Sequence, residues 1–183
     1  MSVRIVAGEF KGRRIQVERA TGLRPTGDRA RETLFNWLQG QISGRRCLDL
    51  FAGSGALGLE ALSRGAEYVL ALERQVQIAR ALKLRKQTWD LGAAYEVQQV
   101  DAVNWLKQVP KTVMPFDLIF FDPPFSSNLL LQSLEQYRAS HLFHATAMLY
   151  IERAQQQQLP SWCQPYKEQQ LGACSIGLYR LQP

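Results

Sequence analysis

The hydrophobic residues from position 46 onward fall into short apolar runs separated by stretches with helical spacing. The runs are rich in branched and aromatic side chains, which is typical of buried strands. Strands are therefore predicted at 46–50, 68–72, 95–100, 116–121, 147–151, and near 166–170 and 175–181. Helices are predicted through Leu59, Ala61 and Leu62, then at about 76–91, 104–108 and 129–137. This alternation predicts an α/β fold with a mostly parallel seven-stranded sheet and helices on both faces.

A different pattern opens the chain. Residues 3–7 and 13–17 alternate apolar and polar side chains, and Gly8 and Gly12 bracket the link between them, which predicts a small N-terminal β-hairpin with one basic face. Such a hairpin has too little core to be stable alone, so it must pack on the rest of the chain or on a ligand. If it serves only to clamp a ligand, deleting residues 1–20 should leave the fold stable.

A loop and a helix follow the hairpin. Residues 22–27 have the composition of a loop, and a helical stripe starts after Asp28, with Thr26 or Asp28 available as the N-cap. The stripe consists of Ala30, Leu34, Trp37 and Leu38. The expected organisation is one domain over 1–183, with a basic hairpin extension at 1–20, a loop and helix at 21–45, and a catalytic core at 46–183.

Composition excludes several classes of protein. Hydrophobic residues make up 46% of the chain, which suits a globular domain, and there is no long apolar run or signal-peptide segment, so a cytoplasmic protein is expected. The three cysteines lack CxxC spacing, and the two histidines, His141 and His144, have no cluster of cysteines or acids beside them. We therefore expect neither a disulfide framework nor a metal site. No hydrophobic stripe is left over, and a monomer is expected.

The net charge of +6 is concentrated at the N-terminus. Residues 1–46 carry ten basic side chains and four acidic ones, so the rest of the chain is neutral. Such a segment attracts a polyanion, because Lys and Arg that neutralise phosphates release counterions. The alternative is a solvated basic surface. The candidate residues for contacting such a polyanion are Arg13, Arg14, Arg24, Arg29 and Arg31.

A glycine-rich turn follows the strand at 46–50. Gly53, Gly55 and Gly58 match the G-x-G-x-x-G dinucleotide fingerprint, and Glu73 lies at the distance where that fingerprint has an acid. The acid can accept both hydroxyls of a ribose. Asp49, in the last turn of the strand, would repel a pyrophosphate but suits a cationic group such as the ammonium or sulfonium of S-adenosylmethionine.

Acidic residues lie at the ends of four successive predicted strands. Because parallel strands end at one rim of a sheet, and ligands bind at that rim, these acids are expected to lie close together. They are Asp49, Glu73, Asp101 and Asp122. Asp101 is placed to accept a hydrogen bond from an adenine amine, although a single acid at such a position is more often a helix cap.

The fourth of these acids opens a short motif, Asp122-Pro123-Pro124-Phe125. Two prolines fix the backbone and remove two donors, which leaves a rigid turn that only accepts hydrogen bonds. A flat ring with an amino group suits this turn, since the amine can donate to Asp122 and a neighbouring carbonyl while Phe125 stacks on the ring. The alternative is a turn that merely ends a strand.

Together these motifs resemble those of Class I S-adenosylmethionine-dependent methyltransferases. D-x-F-A-G-S-G at 49–55 is similar to their cofactor loop, and D-P-P-F at 122–125 to their amino-methylating motif. Residues 23–36 and 57–64 further resemble the RsmD family. That resemblance covers nearly the whole chain and implies a Rossmann-like fold that methylates the 2-amino group of a guanine in small-subunit ribosomal RNA. One departure is Gln75, where the family usually has a second acid.

The resemblance also implies the site residues. Cofactor contacts are expected from Asp49, Phe51, Ala52, Gly53, Gly55, Glu73, Asp101 and Ala102, and the acceptor site from Asp122, Pro123, Pro124 and Phe125. Ribosomal RNA, free or in an assembling small subunit, is the expected partner. Two alternatives stay open, since the acceptor chemistry also fits adenine or glutamine amines, and an inactive RNA-binding protein could keep the same fold.

Overall fold

The computed structural model describes residues 2–17, 27–124 and 127–182. The N-terminal part contains β1 (Ser2–Arg4), β2 (Arg14–Gln16) and α1 (Asp28–Trp37). The central part contains β3 (Arg46–Asp49), α2 (Ala56–Ser63), β4 (Tyr68–Glu73), α3 (Val76–Thr88), a 3-10 turn (Gly92–Ala94), β5 (Tyr95–Gln99), α4 (Ala102–Gln108) and β6 (Leu118–Phe121). The last part contains α5 (Leu129–Ala139), β7 (Met148–Ala154), β8 (Cys163–Leu171) and β9 (Cys174–Leu181).

Seven strands form one sheet in the order β5-β4-β3-β6-β7-β9-β8. Strands β3 to β7 pair in parallel, whereas β9 is antiparallel to both β7 and β8. The predicted seven-stranded, mostly parallel sheet is therefore confirmed. Strand order reverses direction between β3 and β6, and open α/β sheets bind ligands outside the carboxyl ends of the strands at such a point.

Helices cover both faces of the sheet, and each face has its own hydrophobic cluster. Helices α1, α2 and α3 pack on one face together with the hairpin, in a cluster that includes Leu34, Leu59, Leu82 and Phe120. Helices α4 and α5 cover the other face around Phe121 and its neighbours. Among the described residues, no helix has the length and apolarity to cross a membrane.

The N-terminal hairpin is part of the first cluster. Its side chains Val3, Ile5, Phe10 and Ile15 are buried, and all eight residues of α2 are buried because that helix lies between the sheet and the hairpin. The expectation that the hairpin packs on the rest of the chain is confirmed. We no longer expect the fold to tolerate its deletion, because four buried apolar side chains would be removed from the core.

Two helix ends differ from the sequence prediction. Gly27 occupies the N-cap of α1 without a side-chain hydrogen bond, so Asp28 is not the cap, and Thr26 lies outside the described residues. Helix α3 stops at Thr88 because Asp90 adopts a left-handed φ of 53°. The amide of Leu91 then donates to the Lys86 carbonyl at 3.0 Å, which closes the helix end.

Candidate active site

The loop between β3 and α2 requires its glycines for conformation and space. Gly53 and Gly55 have positive φ angles of 49° and 79°. A Cβ on Gly55 would lie 2.7 Å from the Leu82 side chain, and one on Gly58 would lie 2.9 Å from Val69. The G-x-G-x-x-G pattern therefore has a physical basis, since the loop must turn sharply and α2 must pack directly on the strands.

Glu73, the last residue of β4, holds this loop in place. One carboxylate oxygen accepts from the Gly53 amide at 3.0 Å, and the other accepts from the Gln75 amide at 2.7 Å. The carboxylate is thereby fixed at the loop that follows β3. Its predicted contact with ribose hydroxyls stays a prediction. Gln75, the departure from the family pattern, is the N-cap residue of α3 and contacts Glu73 through its backbone.

Asp49 is buried, with 1% exposure, at the end of β3. Burial, together with the nearby carboxylates of Asp122 and Glu73, raises the pKa of its carboxyl to about 7, although the amides of Gly58 and Phe51 oppose the rise. Neither carboxylate oxygen makes a hydrogen bond of good geometry with the protein. A buried carboxyl group beside two other acids is expected to bind a cation.

The Asp122-Pro123-Pro124 turn begins directly after β6. Asp49 is aligned with Phe120 across the β3–β6 pair, so Asp122 lies two positions further along the neighbouring strand, about 7 Å beyond that pair. Pro123 is buried and Pro124 is exposed. The carbonyl of Pro124 accepts from the hydroxyl of Ser127 at 2.7 Å, which closes the turn. Phe125 lies outside the described residues.

Asp101 is the N-cap of α4, where one carboxylate oxygen accepts from the Asn104 amide at 3.0 Å. Ala102 is the buried first residue of that helix. The cap explains an acid at this position by local structure alone. A contact between Asp101 and an adenine amine stays a prediction. The cap hydrogen bond uses one carboxylate oxygen of Asp101 and thereby also fixes the direction of the second oxygen.

The structure describes four of the five candidate RNA-binding arginines. Arg13, Arg14 and Arg29 are exposed, whereas Arg24 lies outside the described residues. The guanidinium of Arg13 lies 4.9 Å from the ring centroid of Phe10 and 5.2 Å from that of Trp89. Two aromatic rings therefore orient this exposed cation.

Arg31 does not belong to this exposed surface, and the expectation that it faces RNA is corrected here. Its side chain is 1% exposed. The guanidinium donates to the Arg4 carbonyl at 2.7 Å and to Asp28 at 3.1 Å, and it lies 3.8 Å from Glu60. Arg31 thus links α1 to β1 and α2. The local sequence shows only Asp28, three residues away, as a partner, because Arg4 and Glu60 are distant along the chain.

Several residues of this region were not singled out from the sequence. Glu60, fully buried, accepts from the amides of Val6 and Ala7 at 2.9 and 3.1 Å. The guanidinium of Arg85 donates to the carbonyls of Ser54 and Gln16, which connects the glycine loop to the hairpin. An acid inside the otherwise apolar α2 is a signal for the first of these roles.

Strand β7 carries a further pair of polar groups. The Tyr150 hydroxyl donates to a carboxylate oxygen of Glu152 at 2.6 Å, and both residues are buried. Glu152 directly follows the apolar run at 147–151. The pattern of an acid at the end of an apolar run, which marks the other four acids, therefore also marks Glu152.

The family described as "Conserved hypothetical protein 95" matches residues 3–180. The chain belongs to this family. "Ribosomal RNA small subunit methyltransferase D" from Haemophilus influenzae is 41% identical, with 97% of this chain and 93% of the relative covered. The protein of the same name from Escherichia coli K12 is 39% identical, with 87% and 78% covered.

Solved structures agree with this membership. The Escherichia coli protein yhhF, described as a methyltransferase, superposes with a TM-score of 0.87 at 35% identity, with 100% of this chain and 99% of that chain covered. The predicted resemblance to the RsmD family and the Rossmann-like methyltransferase fold are both confirmed. Among the described residues, no group of three His, Cys, Asp or Glu side chains could hold a metal ion.

Proposed function

We propose that the chain transfers a methyl group from S-adenosylmethionine to the exocyclic 2-amino group of a guanine in small-subunit ribosomal RNA. The observation that carries the proposal is the adjacency of two sites. The alignment of Asp49 with Phe120 brings the turn at Asp122 next to the glycine loop, and Asp122 acts electrostatically on Asp49. The names of relatives that cover most of the chain support the choice of ribosomal RNA.

The residues at the glycine loop fit the cofactor. Asp49 presents a buried carboxyl group without a hydrogen bond of good geometry to the protein, which a sulfonium or ammonium group would balance. The positive φ angles of Gly53 and Gly55 give the loop its sharp turn, and the close packing of Gly55 and Gly58 brings α2 directly against Leu82 and Val69. When bound, S-adenosylmethionine supplies an electrophilic methyl group and leaves as S-adenosylhomocysteine once that group has passed to the acceptor nitrogen.

The turn after β6 acts on the acceptor amine. The lone pair of guanine's 2-amino group is delocalised into the ring, so the amine is a poor nucleophile. Hydrogen bonds from its two N–H groups to Asp122 and the Pro123 carbonyl orient the nitrogen and favour the geometry that it has during attack. The attacked nitrogen then carries an extra proton, and Asp122 is the nearest carboxylate in this arrangement that can accept it.

The test uses ribosomal RNA from a strain that lacks the corresponding gene. The purified protein is incubated with this RNA, or with the small subunit that contains it, and S-adenosylmethionine with a labelled methyl group. We expect one labelled nucleoside, N2-methylguanosine, by mass spectrometry. Comparison of free RNA with the subunit identifies which form is the substrate.

The other outcomes distinguish the alternatives. Label in N6-methyladenosine or in a glutamine side chain would keep the enzyme class and reject guanine as the acceptor. No labelled product, together with no heat of binding on titration with S-adenosylmethionine, would favour an RNA-binding protein without activity. Either result would contradict the proposal.

A further inference from the structure

Glu152 is a buried carboxylate that the proposed transfer step does not use. It lies on β7 with 4% exposure, in a seven-residue strand whose other central residues are hydrophobic. Glu is unfavourable in strands, and burying its charge is costly unless it is hydrogen-bonded or serves a ligand. The Tyr150 hydroxyl donates to it at 2.6 Å, which fixes the orientation of the carboxylate.

The pairing of β6 with β7 brings this carboxylate beside the acceptor turn. Phe121 is aligned with Ile151, so the next residues along the two parallel strands, Asp122 and Glu152, are neighbours about 5 Å apart in the backbone. Phe120 and Tyr150, two positions before them, pack against each other with ring centroids 6.2 Å apart. Since side chains alternate along a strand, Asp122 and Glu152 lie on the same face of the sheet as Phe120 and Tyr150.

The surroundings of Tyr150 support this placement independently of the register. Burial raises the pKa of its hydroxyl, and the carboxylates of Glu152 and Asp122 raise it further. Two acids from adjacent strands therefore act on one hydroxyl group. The arrangement presents hydrogen-bond acceptors on both sides of the β6–β7 boundary.

We propose that Glu152 is a specificity-determining residue that accepts a hydrogen bond from the N1–H group of the acceptor guanine. Guanine presents donors at N1 and at the 2-amino group, whereas adenine presents an acceptor at N1. Asp122 and the Pro123 carbonyl take the two hydrogens of the amine, and Glu152 takes the adjacent one. A carboxylate oxygen has more than one lone pair, so the bond from Tyr150 and the bond to guanine are compatible.

This inference rests on the proposed function, because it assumes a guanine acceptor at the turn after β6. It adds the reason for choosing guanine. A site built to accept a hydrogen bond discriminates strongly against an analogue that lacks the donor, since the buried acceptor is then left unpaired. An adenine in the same position would direct its N1 lone pair at the Glu152 carboxylate.

The experiment compares guanine with 2-aminopurine at the modified position of a synthetic RNA, once that position is known from nucleoside mapping. 2-Aminopurine keeps the 2-amino group but has an unprotonated N1. The measured quantity is the ratio of kcat/KM for guanine to kcat/KM for 2-aminopurine. It is determined for the wild type, for Glu152→Gln and for the matched surface variant Glu135→Gln, whose side chain is exposed on α5.

The expected result is a decrease of this ratio by about ten- to a hundredfold in Glu152→Gln, because a charged hydrogen bond is removed and the amide can donate to the N1 of 2-aminopurine. Glu135→Gln should keep the wild-type ratio. The missing O6 of 2-aminopurine affects all enzymes alike and cancels in the comparison. Tyr150→Phe removes only the hydroxyl that orients Glu152 and should lower the ratio by a smaller factor. It provides the test if Glu152→Gln does not fold.

Two results would overturn the proposal. One is a wild type that accepts 2-aminopurine as readily as guanine. The other is a variant whose melting temperature and rates fall while its ratio is unchanged, since Glu152 would then have only a structural role. A wild type that methylates no guanine at all would instead contradict the proposed function, and that is seen before any variant is made.

Discussion

Asp49 combines burial with a carboxyl group that makes no hydrogen bond of good geometry with the protein. Its carboxyl has a pKa of about 7 in the folded chain, against about 3.9 in an unfolded one. The folded state therefore holds a proton that the unfolded state releases. The resulting contribution to stability is complete below the unfolded pKa and is lost as pH rises through about 7.

Asp49→Asn should remove this dependence on pH. The stability of the variant relative to the wild type should be greater at pH 8 than at pH 5, because the variant has no charge to bury, while its affinity for S-adenosylmethionine decreases. Urea unfolding at both pH values measures the first effect and calorimetry the second. Parallel loss of stability between pH 5 and pH 8 would contradict this account of Asp49.

Asp122→Ala should separate turnover from cofactor binding. Loss of one preoriented hydrogen-bond acceptor at a reacting group lowers the rate by ~10² to 10³, whereas affinity for S-adenosylmethionine should stay within a few fold. Single-turnover methylation and calorimetry measure the two quantities. Asp117→Ala removes a carboxylate from the opposite end of the same strand, where it accepts from the Arg46 amide, and is the control. Near-normal turnover in Asp122→Ala would exclude it from the mechanism.

At the residue level, the sequence predicted acids at strand ends better than it predicted their surroundings. Asp49 and Glu73 are the last residues of their strands and Asp122 directly follows β6, so all three lie at strand ends as expected. The burial of Arg31 could not be read from the sequence. The burial of Arg31 depends on Glu60, 29 residues further along the chain, and on the hairpin, which packs over Arg31 and Glu60.

At the scale of secondary-structure elements, the N-terminal hairpin is held in place by its contacts with α2. The carboxylate of Glu60 accepts from two hairpin amides and lies next to Arg31 and Arg64. Ser63 adds a second connection, since its hydroxyl accepts from the Phe10 amide at 2.9 Å. Gly8 is required at this contact, because a Cβ there would overlap the Ser63 carbonyl.

Glu60→Gln should therefore destabilise the fold by about 3 to 5 kcal/mol, since it leaves the buried Arg31 with only the exposed Asp28 as an ionic partner and places an amide donor opposite a backbone donor. Denaturant unfolding gives the free energy, and limited proteolysis at Arg13 and Arg14 reports whether the hairpin has detached. Glu67→Gln, on the exposed surface next to α2, should change the free energy by no more than about 0.5 kcal/mol. Equal stability of the two variants would show that Glu60 is not the anchor.

The elements themselves were largely predictable. Each strand from β3 to β6 lies within two residues of its predicted position, because each is a continuous buried run between turn signals. The position of β9 between β7 and β8 was not predictable. An apolar run shows that a strand is buried, but it does not show which strand is its neighbour or in which direction they pair.

On the scale of the whole molecule, positive charge is concentrated on the side that carries the hairpin. Of the exposed residues, Arg13 lies in the turn before β2, Arg14 in β2 and Arg29 in α1. The hairpin also reaches the glycine loop through Arg85. A polyanion bound there would lie next to the candidate active site, as RNA that delivers one base to that site must.

Arg13→Glu with Arg14→Glu should weaken RNA binding and leave affinity for S-adenosylmethionine unchanged. The slope of log affinity against log salt should decrease by about 0.7 to 0.9 for each phosphate that the variant no longer neutralises. Lys107→Glu with Lys111→Glu changes the charge equally at exposed positions in and after α4 and should have little effect. The measurement is RNA affinity at several salt concentrations. Equal slopes in both double variants would identify the basic hairpin as a solvated surface.

The position of β9 has a consequence for biosynthesis. It is the last of the described strands in the chain, yet it pairs along the whole length of β7, from Met148 to Ala154. Because a chain leaves the ribosome from its N-terminus, β7 emerges while the strand that covers its outer edge is still missing. During that interval the edge that carries Glu152 is open to pairing with other chains. The nascent protein is therefore most prone to aggregate just before β9 is released.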